Sequence, residues 1–153
     1  MILSVHFLAG AAIAAKIQNP VLGLFFAFLS HFLLDLVPHQ EYHIYNIKAR
    51  KWKESFFDFL KVSLDIFIGI FIFLILTKNI FWGAAGGFLA ALPDGLIFLS
   101  LLFPKIKILD YLRKYHEKIH WFKDAKTGCE KVSFFWRIFS QVLIGAASII
   151  FLQ

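Results

Sequence analysis

The sequence predicts an all-α integral membrane bundle of about five transmembrane or half-membrane helices, with one amphipathic helix on the cytoplasmic surface. Three observations carry this. Of the 153 residues, 59% are hydrophobic and twenty are Phe, against about 45–50% apolar residues in a soluble domain. The mean hydropathy is +0.72. The apolar residues also fall in runs close to the roughly 20 residues that cross a bilayer. This length suits a single transmembrane domain over residues 1–153, with a cytoplasmic loop at 38–55 and an amphipathic segment at 104–133.

The elements follow in order. A first, short segment runs from about Ile2 to Ile17. A second runs from Pro20 to Val37, and Pro20 is well placed at a helix start because its missing N–H has no partner there in any case. Gln40–Ser55 is a polar, aromatic loop. The third segment spans Phe56–Thr77, and the fourth spans Ile80–Phe103 with an expected break at Leu92-Pro93-Asp94-Gly95. In the basic stretch from Pro104 to Ser133, Ile108, Leu112, Tyr115, Ile119 and Phe122 recur at helical spacing. Arg113, Glu117 and Asp124 fall on the opposite arc. That pattern is an amphipathic helix at the membrane surface. A fifth segment runs from Phe134 to Leu152.

Charge sets the expected orientation. Twelve Lys and Arg fall in the two long loops on the N-terminal side: Lys48, Arg50, Lys51, Lys53, Lys105, Lys107, Arg113, Lys114, Lys118, Lys123, Lys126 and Lys131. The opposite side has only Lys16 and Lys78. The positive-inside bias puts the N-terminus and both loops in the cytoplasm, in a multi-pass protein of the cell membrane. The net charge of +6 is therefore read as a topology signal, and no nucleic-acid partner is expected. Met1–Ala15 lacks a basic leader, so no cleavable signal is expected. Cys129, the single cysteine, excludes an internal disulfide and a Cys-based zinc cluster.

In this topology the ionisable residues converge on one leaflet. His6 lies near the start of the first segment. His31 and Asp35 lie in the last turns of the second, and Asp58, Lys61 and Asp65 enter the third from the same side. Asp94 lies in the fourth, roughly 14 Å from its cytoplasmic end. Ionisable groups at membrane depth are costly and point to function by default.

Each constellation has a functional and a structural reading. His31 and Asp35 at i, i+4 share a helix face and can chelate one cation, with His39, just beyond Pro38, as a third ligand; the alternative is a hydrogen bond joining helices. His116-Glu117-Lys118-Ile119-His120 matches the H-E-x-x-H spacing of helical zinc ligands; the alternative is a solvated face. Asp94 beside Pro93 is a candidate ligand or base, His6 a candidate ligand and Asp65 a candidate base, although Lys61 can simply neutralise Asp65. His43 is the weakest of the histidines. The four Trp suit interfacial belts. Gly83, Gly86 and Gly87, with Ala84 and Ala85, make a close-packing face. Asn19–Gly23 and Asn79–Gly83 form a faint internal repeat.

His6 with Gly10, the Gly23 to Pro38-His39 segment containing Ser30-His31 and Asp35, and the run Gly83–Asp94 resemble the inner-membrane-bound metal-dependent hydrolases. More distantly they resemble the all-helical zinc-dependent phospholipase C group. The likeness covers about the first two thirds of the chain. The family's His-Arg-Gly-x-Thr-His-Ser segment has no counterpart here, which leaves two expectations: His116 and His120 substitute for it, or the chain is a divergent or inactive branch. The resemblance implies a hydrolase without naming its substrate.

The expectation is a divalent metal, zinc first with manganese or iron as alternatives. It would be held by His6, His31, Asp35, His39, Asp94, His116 and His120, with Asp65 and Asp94 as catalytic carboxylates. The substrate would be a phosphoester in a lipid or amphiphile at the cytoplasmic leaflet, drawn in by Lys48, Arg50, Lys51 and Lys53. Membrane lipids are the expected partners and the oligomeric state is open. A small cation or proton carrier and a non-catalytic scaffold subunit are the competing readings.

Overall fold

A computed structural model describes residues 1–121 and 131–153. Seven α-helices make up the described chain: α1 (Leu3–Lys16), α2 (Pro20–Asp35), α3 (Tyr45–Lys48), α4 (Phe56–Leu76), α5 (Ile80–Leu102), α6 (Lys107–Ile119) and α7 (Phe134–Leu152). A single 3₁₀ turn covers Trp52–Glu54. No strand occurs among the described residues. Phe122, Lys123, Asp124, Lys126 and Cys129, which the sequence reading assigned to the basic stretch, lie outside them.

The five apolar segments each become one helix, within a residue or two of the predicted ends. Only three, α4, α5 and α7, are long and apolar enough to cross a membrane. With 14 and 16 residues, α1 and α2 fall short of a full span of roughly 20, so of the five expected transmembrane or half-membrane helices three are candidate spans and two are short apolar helices. The outward faces support membrane association. Phe67, Phe71 and Phe81 are 66%, 65% and 73% exposed, and apolar patches of this kind are rare on water-soluble monomers.

The short α1 is the centre of the bundle and packs against α2, α4, α5 and α7. Its small residues allow this. A Cβ on Gly10 would lie 2.6 Å from the Gly86 carbonyl oxygen of α5, and one on Gly86 would lie 2.7 Å from the Gly10 carbonyl oxygen. The two backbones therefore touch, as at small-residue crossings in membranes. Gly87 gives room to the Phe7 ring, which meets Phe73 and Phe88 edge-on at centroid distances of 5.5 and 5.3 Å.

Local signals account for the helix ends that carry the site. The Asn19 side chain accepts hydrogen bonds from the backbone N–H of Val21 (3.0 Å) and Leu22 (3.2 Å), satisfying donors that a helix start leaves orphaned. At the other end α2 stops just before Pro38, since a proline disfavours helical backbone in the residue preceding it. Asn79 makes no such cap, so the two halves of the faint repeat differ where they begin.

The break expected at Pro93 is absent. Helix α5 is continuous from Ile80 to Leu102, with Pro93 buried inside it. The proline removes one backbone hydrogen bond, and packing on α1, α2 and α6 keeps the helix intact on both sides. Helix α6 follows α5 after four residues. Its Ile108, Leu112 and Tyr115 stripe faces away from the bundle, at 65%, 40% and 54% exposure, while His116 faces inward.

Candidate metal centre

Four helices and one loop deliver side chains to a single point at one end of the bundle. His6 comes from the second turn of α1. His31 and Asp35 come from the last turns of α2, His39 from the loop behind Pro38, Asp94 from α5, and His116 from α6, which His120 follows directly. Asp35 is the hub, with no exposed surface. Its Oδ2 lies 3.1 Å from His116 Nε2, 3.2 Å from His31 Nε2 and 3.8 Å from His120 Nε2. Its Oδ1 lies 3.1 Å from His6 Nε2 and 3.6 Å from His39 Nε2. The Met1 amino nitrogen is 2.9 Å from the same Oδ1 and 2.6 Å from His39 Nε2.

Asp94 closes the site from α5. Its carboxylate oxygens lie 3.6 Å from His116, 3.9 Å from His31 and 3.9 Å from His6. At 23% side-chain exposure it is more open than Asp35 and than its histidine neighbours, so it stands at the mouth. The imidazoles crowd together through the site, His6 tilted against His31 at 4.2 Å between ring centroids, His31 tilted against His116 at 5.1 Å and His39 edge-on to His120 at 5.2 Å.

Two overlapping groups have the compactness of a cation site. His31, Asp35, Asp94 and His116 offer ligand atoms within 4.8 Å of one another, and so do Asp35, His39 and His120. The buried His31 Nε2 and Asp35 Oδ2 face each other, yet neither makes a hydrogen bond. An unsatisfied buried donor or acceptor costs roughly 1–3 kcal/mol, and a cation between such atoms removes that cost. A donor set of imidazole nitrogen and carboxylate oxygen suits zinc, manganese or iron. The residues present could therefore hold a metal ion.

Surrounding groups orient the ligands. His39 Nδ1 donates to the Val37 carbonyl oxygen at 2.8 Å, which turns the Nε2 lone pair toward the cluster, the usual support of a metal-ligating imidazole. Burial pushes the His39 imidazole down to about 3, and burial likewise lowers His120; both stay neutral near pH 7, the form that ligates. Trp121 Nε1 donates to the Leu36 carbonyl oxygen at 2.7 Å and ties the end of α6 across the end of α2. His120 also faces Glu41 at 3.5 Å.

Other candidate residues take different positions. Asp65 is not part of the cluster. Its carboxylate accepts from the Ser4 backbone N–H at 2.8 Å, from Ser4 Oγ at 2.5 Å and from the Tyr42 hydroxyl. Tyr42 also accepts from the Leu3 N–H at 2.9 Å. Burial first, then the Asp65 charge, raise the Tyr42 phenol far above its ordinary value, so it stays a donor. Asp65 thus pins the start of α1 and the loop behind His39. Lys61 pairs with Asp58 at 3.7 Å, and Asp58 accepts from the Asn46 and Ile47 N–H groups that open α3. Glu117 of the H-E-x-x-H match points outward to Arg113 at 2.8 Å. His43 lies in the exposed loop beside Tyr45 and Gln40.

Glu41, Tyr42 and Ser4 were not singled out by sequence reasoning. Glu41 and Tyr42 lie two and three residues after His39, and that nearness was the available signal. Comparison of the chain with protein-family models, with curated proteins and with solved structures finds no match to any of them.

Proposed function

We propose that this chain is a membrane-embedded metal-dependent hydrolase of a phosphoester carried by a lipid or amphiphile. What carries the reading is the convergence of five histidines and two carboxylates from five separate segments on Asp35, with buried ligand atoms left unsatisfied. His31, Asp35, Asp94 and His116 hold the metal, zinc first, with His6 beside them. His39 and His120 form with Asp35 a second ligand group.

A bound divalent cation supplies Lewis acidity toward a phosphoryl oxygen and a lowered pKa for its water. The chain's own groups do the rest. Asp94 at the mouth is placed to take a proton from the attacking water. Lys48, Arg50, Lys51 and Lys53 in the neighbouring loop attract anionic headgroups. The apolar face of α6 lies in the lipid interface while its other face contributes His116 and His120, so the substrate arrives from the leaflet at the site end, the cytoplasmic leaflet by the positive-inside bias.

The carrier reading is the weaker one. No His, Asp or Glu falls between Pro20 and Ser30, between Ile66 and Pro93, or beyond Ser133, so no series of carboxylates and imidazoles continues from the cluster along these segments.

The test is metal content of the detergent-purified protein by inductively coupled plasma mass spectrometry, beside a His31→Ala/Asp35→Ala variant. Near-stoichiometric zinc, manganese or iron that disappears in the folded variant, with phosphate or headgroup release from phospholipid vesicles, is expected. A wild type that holds no metal after loading ends the hydrolase reading.

A further inference from the structure

A groove runs between α1 and α7, lined by Ile2, Val5, Gln141, Val142, Gly145 and Ile149, with a volume of about 310 Å³. It belongs to none of the ligand groups above, and its lining is almost wholly apolar. The exception is Gln141, which is 8% exposed and whose side-chain carbonyl oxygen Oε1 is buried without a hydrogen-bond partner. An acceptor left in this state among apolar side chains is costly. It marks the position where a ligand would supply a donor.

The polarity along α7 has the order of an amphiphile. Arg137, one turn before Gln141, donates to Gln40 Oε1 at 2.6 Å in the loop behind His39. Ser140 Oγ, on the same turn, donates to the Pro38 carbonyl oxygen at 2.5 Å. Charged and polar groups therefore stand at the end nearest the metal ligands. Gln141 comes next, then Gly145 against Val5, then Ile149 beside the apolar core of α1. From Arg137 to Ile149 the helix rises roughly 18 Å. The groove begins one residue from the cluster. Ile2 lines it, and the adjacent Met1 amino nitrogen touches Asp35.

We propose that this groove binds the hydrocarbon chain of a single-chain amphiphile whose hydroxyl or amide N–H, just below its phosphate, donates to Gln141 Oε1. The volume is near the roughly 300 Å³ lower bound of small-molecule sites. Gly145 keeps it open. A Cβ there would sit 3.7 Å from Val5 Cγ2, an ordinary contact, so alanine fits and a longer side chain fills the groove. As a statement of substrate class this rests on the hydrolase reading; as a statement of binding it stands on the groove alone.

The experiment measures retention of palmitoyl lysophosphatidylcholine, which carries a free hydroxyl, and of its deoxy analogue with the same chain. Retention is read by native mass spectrometry of the detergent-solubilised full chain, with metal content measured on the same samples. Wild type is expected to prefer the hydroxylated form about tenfold, the worth of one hydrogen bond to a buried acceptor. Gln141→Leu, which removes an unsatisfied polar group and so folds, is expected to bind both forms equally. Gly145→Leu is expected to lose both at least tenfold, with metal content unchanged in either variant.

Equal retention of the two forms by wild type, or an undiminished preference in Gln141→Leu, overturns the proposal. So does a dimer that Gly145→Leu abolishes with no lipid retained, since a second copy then fills the groove. A wild type that keeps the preference yet holds no metal supports the groove while removing the hydrolase reading.

Discussion

His116 Nε2 lies 3.1 Å from Asp35 Oδ2, joining the surface helix α6 to the last turn of α2. The contact makes α6 part of the centre. His116→Ala is expected to lower metal occupancy by about ten- to a hundredfold while the bundle stays folded, because α1, α2, α4, α5 and α7 pack without it. Asp35→Ala, which removes the hub, is expected to abolish metal binding altogether. Metal content beside a thermal unfolding curve checks both.

Asp65 is expected to act through structure. Asp65→Ala leaves the buried Ser4 and half-buried Tyr42 donors without their partner, at a cost of up to about 1–3 kcal/mol for each. Tyr42→Phe should cost about 1 kcal/mol. Both shifts show in thermal or denaturant unfolding. Folded Asp65→Ala protein should still hold metal, whereas kcat loss without any stability loss would make Asp65 a catalytic base.

Glu117→Gln is expected to leave metal content and turnover within twofold of wild type. The Glu117 carboxylate is 59% exposed and bonded to Arg113, on the side of α6 away from the cluster. A large loss of turnover in this variant would restore the zincin-like reading of the H-E-x-x-H match.

The contact of α1 with α5 admits no side chain. Gly10→Leu places atoms within 2.6 Å of the Gly86 carbonyl oxygen, and overpacking of a tight interface costs about 1–3 kcal/mol or more. A marked drop in detergent thermal stability is expected. The conservative Gly145→Ala, at a contact of 3.7 Å, should leave stability unchanged.

Spin labels at Ile108, Leu112 and Tyr115 of α6 are expected to be accessible to oxygen, which partitions into lipid. Labels at Lys114 and Glu117 should be accessible to a water-soluble nickel chelate. Uniform water accessibility around α6 would show that its apolar face does not enter the bilayer.

The segment boundaries were readable because they rest on local chemistry. Pro20, Asn19 and Pro38 terminate or open helices by removing or satisfying backbone donors in their own turns, and an apolar run of given length reports its own ability to span. The His31/Asp35 pair was readable for the same reason, since i, i+4 neighbours meet on any helix. Pro93 shows the limit of this kind of reading. Its local effect is disruptive, yet contacts from three other helices hold α5 continuous, and no local pattern reports contacts made at a distance.

From sequence alone follow the helical class, the five apolar segments, the basic loops and the short list of residues able to hold a metal. Tertiary structure alone decided that α1 sits at the centre, that Asp35 is the hub joining His6, His31, His39, His116 and His120, and that Asp65 and Glu117 face elsewhere. The physical reason is range. Periodicity and capping act within a few residues, whereas the meeting of five segments at Asp35 depends on how closely Gly10 and Gly86 let two backbones approach.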